Sequence, residues 1–475
     1  RTIRHMKIDL NFGRGTIPLD VDDAWDYTIV RKRSMPVEKE PKSAIQRALE
    51  NPVNTPPLSG KAKSCRNACI LICDITRPVP NQLILPKIVS ILLQSGIPRE
   101  NIEILIATGL HRPNEGEELK QLIGDDWILK NIKISNHFAK KNEDHVFVGT
   151  TSKGTSVKID KRFVEADLKI VTGLVEPHFM AGYSGGRKVI APGVAHQDTI
   201  TTFHNHKFMS NPNADSCILN GNPLHEEQLE IVSMLGEIMC VNTVLDEDRN
   251  LSFVNYGEII DSHMEAVTFA KHYLSVPIDR KFNTLVTSAA GYPLDASYYQ
   301  TVKGMVVPYQ ILEPGGDLII VSECAEGIGS AEFKESQKKL IDIGPKLFCE
   351  EISKKEYAAV DEWQTQMQTK IMNVGTVHLY ATGLTPSQQR LTGVNVLKNL
   401  NDFYAEDIKN GLISFDTSGG MRDEITVTTS AGETVIPLNS DFNTTSGFSS
   451  LPGREYTKYG EDGSYIDDRE FFGKK

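Results

Sequence analysis

The chain has 475 residues, enough for two to three domains with cores of their own. It is 40% hydrophobic and 24% charged with a formal net charge of −11, a globular balance without the basic footprint of a nucleic-acid binder. No apolar run reaches the length of a membrane span, and seven cysteines, an odd and low number, favour a reducing cytoplasm over a disulfide framework.

Residues 1–5 lack the apolar stretch of a secretory signal and read as additions ahead of a native Met6. Leu10–Asp20 is expected to be extended and Val37–Leu49 to form a short helix. An apolar run from Ala68 to Cys73 has strand length and stops at Asp74-Ile-Thr-Arg77-Pro-Val-Pro80, where prolines cannot continue it. Cys65, Cys69 and Cys73 are spaced four apart, without the two-residue gap or the nearby fourth thiolate of an iron–sulfur site, and Cys69-Ile-Leu-Ile-Cys73 reads as a buried strand. Residues 81–95 carry a helical apolar period closed by Gly96. A second strand, Ile102–Ala107, leads into Thr108-Gly-Leu-His111-Arg-Pro113 and a helix with a glutamate-rich first turn. A third, Ala166–Val171, runs through Glu176-Pro177 into His178.

Strand, polar loop and helix in repetition predict an α/β layer with a mainly parallel sheet. In such sheets ligands sit beyond the carboxyl ends of strands, where Asp74, Arg77, His111 and His178 all fall. A second α/β run starts near residue 283, with strands at 284–289, 318–323 and 377–381. Its first loop leads to Tyr299, Gln300 and Lys303 near a helix start. We place the boundary within 268–283 and expect an irregular tail rich in Ser, Thr, Gly, Asp and Tyr from 440.

The densest chemistry lies at 178–206, which holds four of the twelve histidines and a Gly-Gly-Arg-Lys188 step. Small residues there let backbone approach a ligand beside Lys188, which suggests a phosphate-bearing or metal-bearing cofactor. It is not a phosphate-loop NTPase, because Arg187 stands at the second glycine and Val189 replaces the magnesium-binding hydroxyl. Glu326-Gly327-Ile-Gly329 lacks the third glycine of a dinucleotide motif. His204 and His206, two apart in a helix-like context over 199–208, diverge, so one of them at most is a metal ligand. His111 and His178 have the acid/base chemistry that inversion of a stereocentre needs on two faces. Arg77, Gln300 and Lys303 can clamp a carboxylate, and Trp363 is either core or pocket wall.

Four motifs carry a resemblance: Asp74-x-Thr-Arg-Pro-Val-Pro80, Ala107-Thr-Gly-x-His-Arg-Pro113, Glu176-x-His-Phe-x-Ala-Gly-x-Ser-Gly-Gly-Arg-Lys188 and Gly291-Tyr-Pro-Leu-Asp-x-x-x-Tyr-Gln-x-Val-Lys-Gly304. From about residue 7 to about 438 the chain resembles the nickel-dependent lactate racemase family. The resemblance implies two α/β domains with mainly parallel sheets and an active site in the cleft between them. They would span 1–275 and 276–438, with a tail, 439–475, that can pack back on the first. It implies a nickel-pincer nucleotide bound covalently at Lys188, with His204 as the nickel ligand and Asp74, Ile75, Thr76 and Arg77 contacting the cofactor. His111 and His178 would be the acid/base pair, and Arg77, Tyr299, Gln300, Lys303 and Trp363 would bind substrate. The implied reaction is racemisation or epimerisation at C2 of a 2-hydroxy acid by reversible hydride transfer, in a cytoplasmic enzyme matured by separate cofactor-building enzymes. Ile75, Met180 and Tyr183 depart from the lactate enzyme's pattern: Ile75 supplies no cation for a second carboxylate, as malate would need, while Met180 and Tyr183 suggest a substrate larger than lactate, such as a sugar acid, with lactate or another short-chain 2-hydroxy acid, or net oxidoreduction with the same cofactor, as the alternatives.

Overall fold

The computed structural model describes residues 5–22 and 27–400 and the backbone of four short strands, Ile425–Thr428, Thr434–Pro437, Thr457–Tyr459 and Tyr465–Asp467. The last two pair as an antiparallel hairpin; the remainder of the expected tail lies outside the described residues. Two compact units emerge. One comprises Ser34–Phe208 and Leu219–Lys271, and the rest of the described chain forms the other. The division is discontinuous, because residues 209–218 also belong to the second unit.

The first unit is built on a six-stranded sheet in the order Leu251–Glu258, Met239–Leu245, Leu168–Leu174, Ala68–Cys73, Ile102–Ala107, Lys133–Asn136. All neighbours run parallel except the outermost, Leu251–Glu258. Ala68–Cys73 is nearly all buried, as a central parallel strand covered on both faces must be. The chain lays down two strands to one side of it, Ile102–Ala107 and Lys133–Asn136, then crosses to its other side at Leu168–Leu174. Order therefore reverses between Ala68–Cys73 and Leu168–Leu174, and the loops after these two strands border the crevice that a doubly wound sheet opens there. Helix Asn81–Gln94 buries Ile84, Leu85, Ile88 and Leu92 against the sheet. An antiparallel pair, His145–Thr150 with Ser156–Asp160, stands apart from the main sheet.

The second unit has its own sheet, ordered Asn395–Leu397, Thr376–Tyr380, Leu312–Val321, Phe282–Ser288, Thr434–Pro437, Tyr27–Val30. The first four are parallel and the last two join antiparallel. The stretch expected to be extended near the start is a hairpin, His5–Phe12 with Gly15–Asp22. Its apolar face, Ile8, Leu10, Leu19 and Val21, covers Val286, Ile319 and Val321, which explains why the N-terminus counts with the C-terminal half. All seven cysteines are free thiols. Among the described residues no helix is long and apolar enough to cross a membrane.

Candidate active site

Strand Ala68–Cys73 delivers Asp74 to the point where the sheet order reverses, and the polar turn that follows folds back on it. Asp74 Oδ1 accepts from the Thr76 backbone N–H at 3.1 Å and from Thr76 Oγ1 at 2.5 Å. Ile75 turns its side chain into the core, and its N–H is held by Asn114 Oδ1 at 3.1 Å. The neighbouring strand Ile102–Ala107 ends in a turn in which His111 N–H donates to Thr108 O. That turn puts His111 Nδ1 2.6 Å from Asp74 Oδ2. Burial alone would raise the Asp74 carboxyl, but the charge and hydrogen bond of His111, with help from Thr76 and Arg77, hold it down to about 2. An ionised Asp74 fixes the proton of His111 on Nδ1, so the lone pair of the neutral ring is on Nε2.

The strand on the other side, Leu168–Leu174, runs on to Pro177–His178, which pairs with Gly182–Tyr183. His178 is buried, and its Nδ1 accepts from the backbone N–H groups of Met180 and Ala181, each at 3.2 Å. In the neutral ring the proton therefore sits on Nε2, the reverse of His111. Arg77, whose Nε lies 3.7 Å from Glu176 Oε1, joins this loop to the turn after Asp74.

Glycine decides the next step. Gly185 and Gly186 both have positive φ, and a Cβ on Gly186 would meet the His263 ring at 2.8 Å. Arg187 lies fully inside, where Nη1 donates to Tyr183 O at 2.7 Å and Gly185 O at 3.2 Å, Nη2 to Ala181 O at 2.8 Å and Nε to His225 Nδ1 at 3.1 Å. Burial lowers its guanidinium to about 9, which keeps it charged at neutral pH. The short helix Arg187–Ile190 then presents Lys188. Burial, with the charges of Arg77 and Arg187, lowers its amine to about 7 against the opposing pull of Cys73 and Asp74. Beyond it, Gly193 O accepts from Gly109 N–H at 2.8 Å, which ties the His111 turn to the lysine segment. Gly193 has no room for a side chain, since a Cβ would lie 1.8 Å from Val189 O.

Helix Gln197–Phe203 stops at His204, and a separate helix starts at His206. The single helix-like run expected over 199–208 is thus two. Buried His204 donates from Nδ1 to Ile200 O at 2.8 Å, so its Nε2 carries a lone pair. Burial, aided by the charge of Lys188, lowers it to about 3. A neutral imidazole oriented through its other nitrogen is the form in which histidine binds a metal.

Asp74, Arg77, His111, Lys188 and His204 thus form one electrostatic neighbourhood, with His178 at the end of the adjoining strand. Tyr299, Gln300, Lys303 and Trp363 belong to the second unit. Helix Tyr298–Val306, capped by Ser297, places Gln300 and Lys303 one turn apart, with Lys303 Nζ donating to Gln300 Oε1 at 2.6 Å. Lys303 Nζ also stands 5.7 Å from the Tyr299 ring centre. Gln364 Nε2 holds Tyr299 O at 2.5 Å, and buried Trp363 precedes it on helix Glu362–Met372. An ammonium and a carboxamide on one helix face suit a carboxylate. The sequence gives no sign that Arg187 is an internal strut or that Glu176 pairs with Arg77.

Two family models match the chain: the lactate racemase N-terminal domain over residues 12–217 and the lactate racemase C-terminal domain over residues 279–436. The lactate racemase of Thermoanaerobacterium thermosaccharolyticum is 32% identical over 371 residues, covering 77% of this chain and 85% of that protein. That of Lactiplantibacillus plantarum is 33% identical over 370 residues, covering 77% and 86%. The lactate racemase apoprotein structure from T. thermosaccharolyticum superposes with a TM-score of 0.77 at 28% identity, covering 86% of this chain and 96% of that one. A Thermotoga maritima protein shares the fold, with a TM-score of 0.59 at 16% identity over 77% of this chain and 93% of its own.

Proposed function

The chain belongs to the lactate racemase family, and on that premise we propose that it is an isomerase inverting C2 of a 2-hydroxy acid with a nickel-pincer nucleotide. The residues fit that group. Lys188, partly neutral near pH 7, is a nucleophilic amine suited to covalent attachment, and the Nε2 of His204, which carries the ring's lone pair, is a nitrogen donor for nickel. The Asp74–Arg77 turn is the proposed wall of the cofactor site. When bound, the group supplies reversible acceptance of hydride from C2.

His111 takes the substrate hydroxyl proton on Nε2, and Asp74 stabilises the imidazolium that results. His178, with its proton on Nε2, faces the other enantiomer's oxygen as donor, and the two exchange roles in the reverse direction. Arg77, Gln300 and Lys303 hold the carboxylate, and Tyr299 and Trp363 exclude water. We take the substrate to be bulkier than lactate, a sugar acid epimerised at C2, because Met180 replaces an aromatic beside His178 and Tyr183 adds a hydroxyl near the glycine turn. Separate cofactor-building enzymes are required partners.

The observation that carries this reading is the lysine lowered to about 7 in electrostatic contact with the metal-competent His204. Its test is intact mass and nickel content of protein co-produced with the cofactor-building enzymes, against Lys188→Ala. A nucleotide-sized adduct with one nickel per chain, absent from the variant, supports it; an unmodified mass in a host that loads a lactate racemase refutes it. A chiral panel from lactate to aldonates then decides the substrate, and lactate as the best by kcat/KM removes the sugar-acid reading.

A further inference from the structure

A second group of metal-competent side chains lies on the antiparallel pair that stands off the main sheet. His145 and Asp160 are direct partners across it, and His137 reaches them from just past the edge strand Lys133–Asn136. One ligand atom from each of the three lies within 4.8 Å of the others.

The ring nitrogens are arranged in a telling way. His137 Nε2 and His145 Nε2 face each other at 2.9 Å. His145 Nδ1 donates to Lys141 O at 2.7 Å, and the His137 ring donates to the Gly109 carbonyl. With Nε2 of His137 turned to His145, the atom serving Gly109 is Nδ1. Both neutral rings therefore aim Nε2 lone pairs at one another, an arrangement that repels until a cation or proton lies between them. Imidazoles oriented by Nδ1–H to carbonyl bonds are the outer support that metal-binding histidines require. Buried Asp160 is aligned by Arg162, through Nε to Oδ1 at 2.9 Å, the backbone N–H to Oδ1 at 3.1 Å and Nη2 to Oδ2 at 2.5 Å.

We propose that His137, His145 and Asp160 form a second metal site, taking a zinc-class divalent cation with water as its fourth ligand. Arg162 offsets the charge of Asp160, so imidazole donors and not surplus anionic charge select the ion, which favours zinc over calcium or magnesium. Zinc holds nitrogens at about 2.0–2.1 Å, hence about 3.3 Å apart, so the two rings open by a few tenths of an ångström to admit it. Buried His196 packs edge-on to His145 with ring centres 5.0 Å apart, and its Nε2 has no hydrogen-bond partner. Its Nδ1 accepts from Asp198 N–H, so Nε2 carries the proton, and a metal-bound water is an acceptor for it. The site is a brace for the acid/base turn, since Thr108 Oγ1 donates to His137 O at 2.7 Å and the His137 ring holds Gly109.

Cobalt(II) is the probe, added to full-length chain freed of metal by chelator and followed by visible absorption and metal analysis. One cobalt per chain with the strong bands of tetrahedral coordination is expected, kept in His204→Ala and lost in both His145→Ala and Asp160→Asn. The partly exposed position of His145 makes its variant the one that keeps the fold. Absence of tetrahedral cobalt, its persistence in His145→Ala, or its loss in His204→Ala alone overturns the proposal.

Discussion

Asp74 Oδ2 and His111 Nδ1 lie 2.6 Å apart although 37 residues separate them in sequence. They meet because the strands that carry them are parallel neighbours in register from Ala68 opposite Ile102 to Cys73 opposite Ala107. The pair selects one tautomer and stabilises the charge that His111 gains when it takes a proton. Asp74→Asn keeps the shape and removes both effects. Turnover of the loaded enzyme is expected to fall roughly a hundredfold or more, with the cofactor adduct intact by mass. Unchanged kcat would separate Asp74 from the acid/base chemistry.

Lys188 yields a pH dependence with a definite sign. Its amine is lowered to about 7, so the neutral nucleophile grows as pH rises through 7. Cofactor attachment followed by intact mass should accelerate from pH 6 to 8 and level off above. Lys188→Arg, charged throughout, should carry no adduct. The same shift opposes folding. The unfolded chain binds the extra proton between about 7 and the usual lysine value, so apo stability rises with pH across that window, and Lys188→Met should be more stable than wild type at pH 7 in urea melts.

His204 and Lys188 are separable in their effects. His204→Ala removes the proposed nickel donor and leaves the amine, so the loaded variant should keep its nucleotide mass and lose most of its nickel. Retention of one nickel per chain would assign the ligand elsewhere.

Arg187 satisfies the carbonyls of Ala181, Tyr183 and Gly185 from inside the fold. Arg187→Met strands them without donors and should cost about 3 kcal/mol or more, read as a lower urea midpoint at unchanged slope. Arg187→Lys, with fewer donors and no planar fork, should recover only part.

Much of the first unit is legible in the sequence because its strands are short apolar runs ended by prolines and polar turns. Those endings put Asp74, His111 and His178 past strand ends before any pairing is known. What periodicity cannot carry is lateral order. Nothing in the chain says that Ala68–Cys73 lies between Ile102–Ala107 and Leu168–Leu174, so the contact of Asp74 with His111 stays hidden. The hairpin His5–Phe12/Gly15–Asp22 is readable as extended, yet the sheet that its apolar face covers is set by packing across most of the chain. Arg187 reads as one more cation beside a cofactor lysine, and only burial reveals it as a strut. His137, His145 and Asp160 have no metal-ligand spacing at all, because a cross-strand register brings two of them together.

The bond from Gly109 N–H to Gly193 O bears on how this enzyme could diversify. It locks the turn holding His111 to the segment behind Lys188, glycine to glycine, with no side chain able to act as a spacer. An insertion in either segment would shift both at once, so selection for a new substrate has little freedom in loop length here. Variation must instead act through residue identity on the surrounding walls, and descendants of this chain should differ in the side chains around the machinery while its frame keeps one gauge.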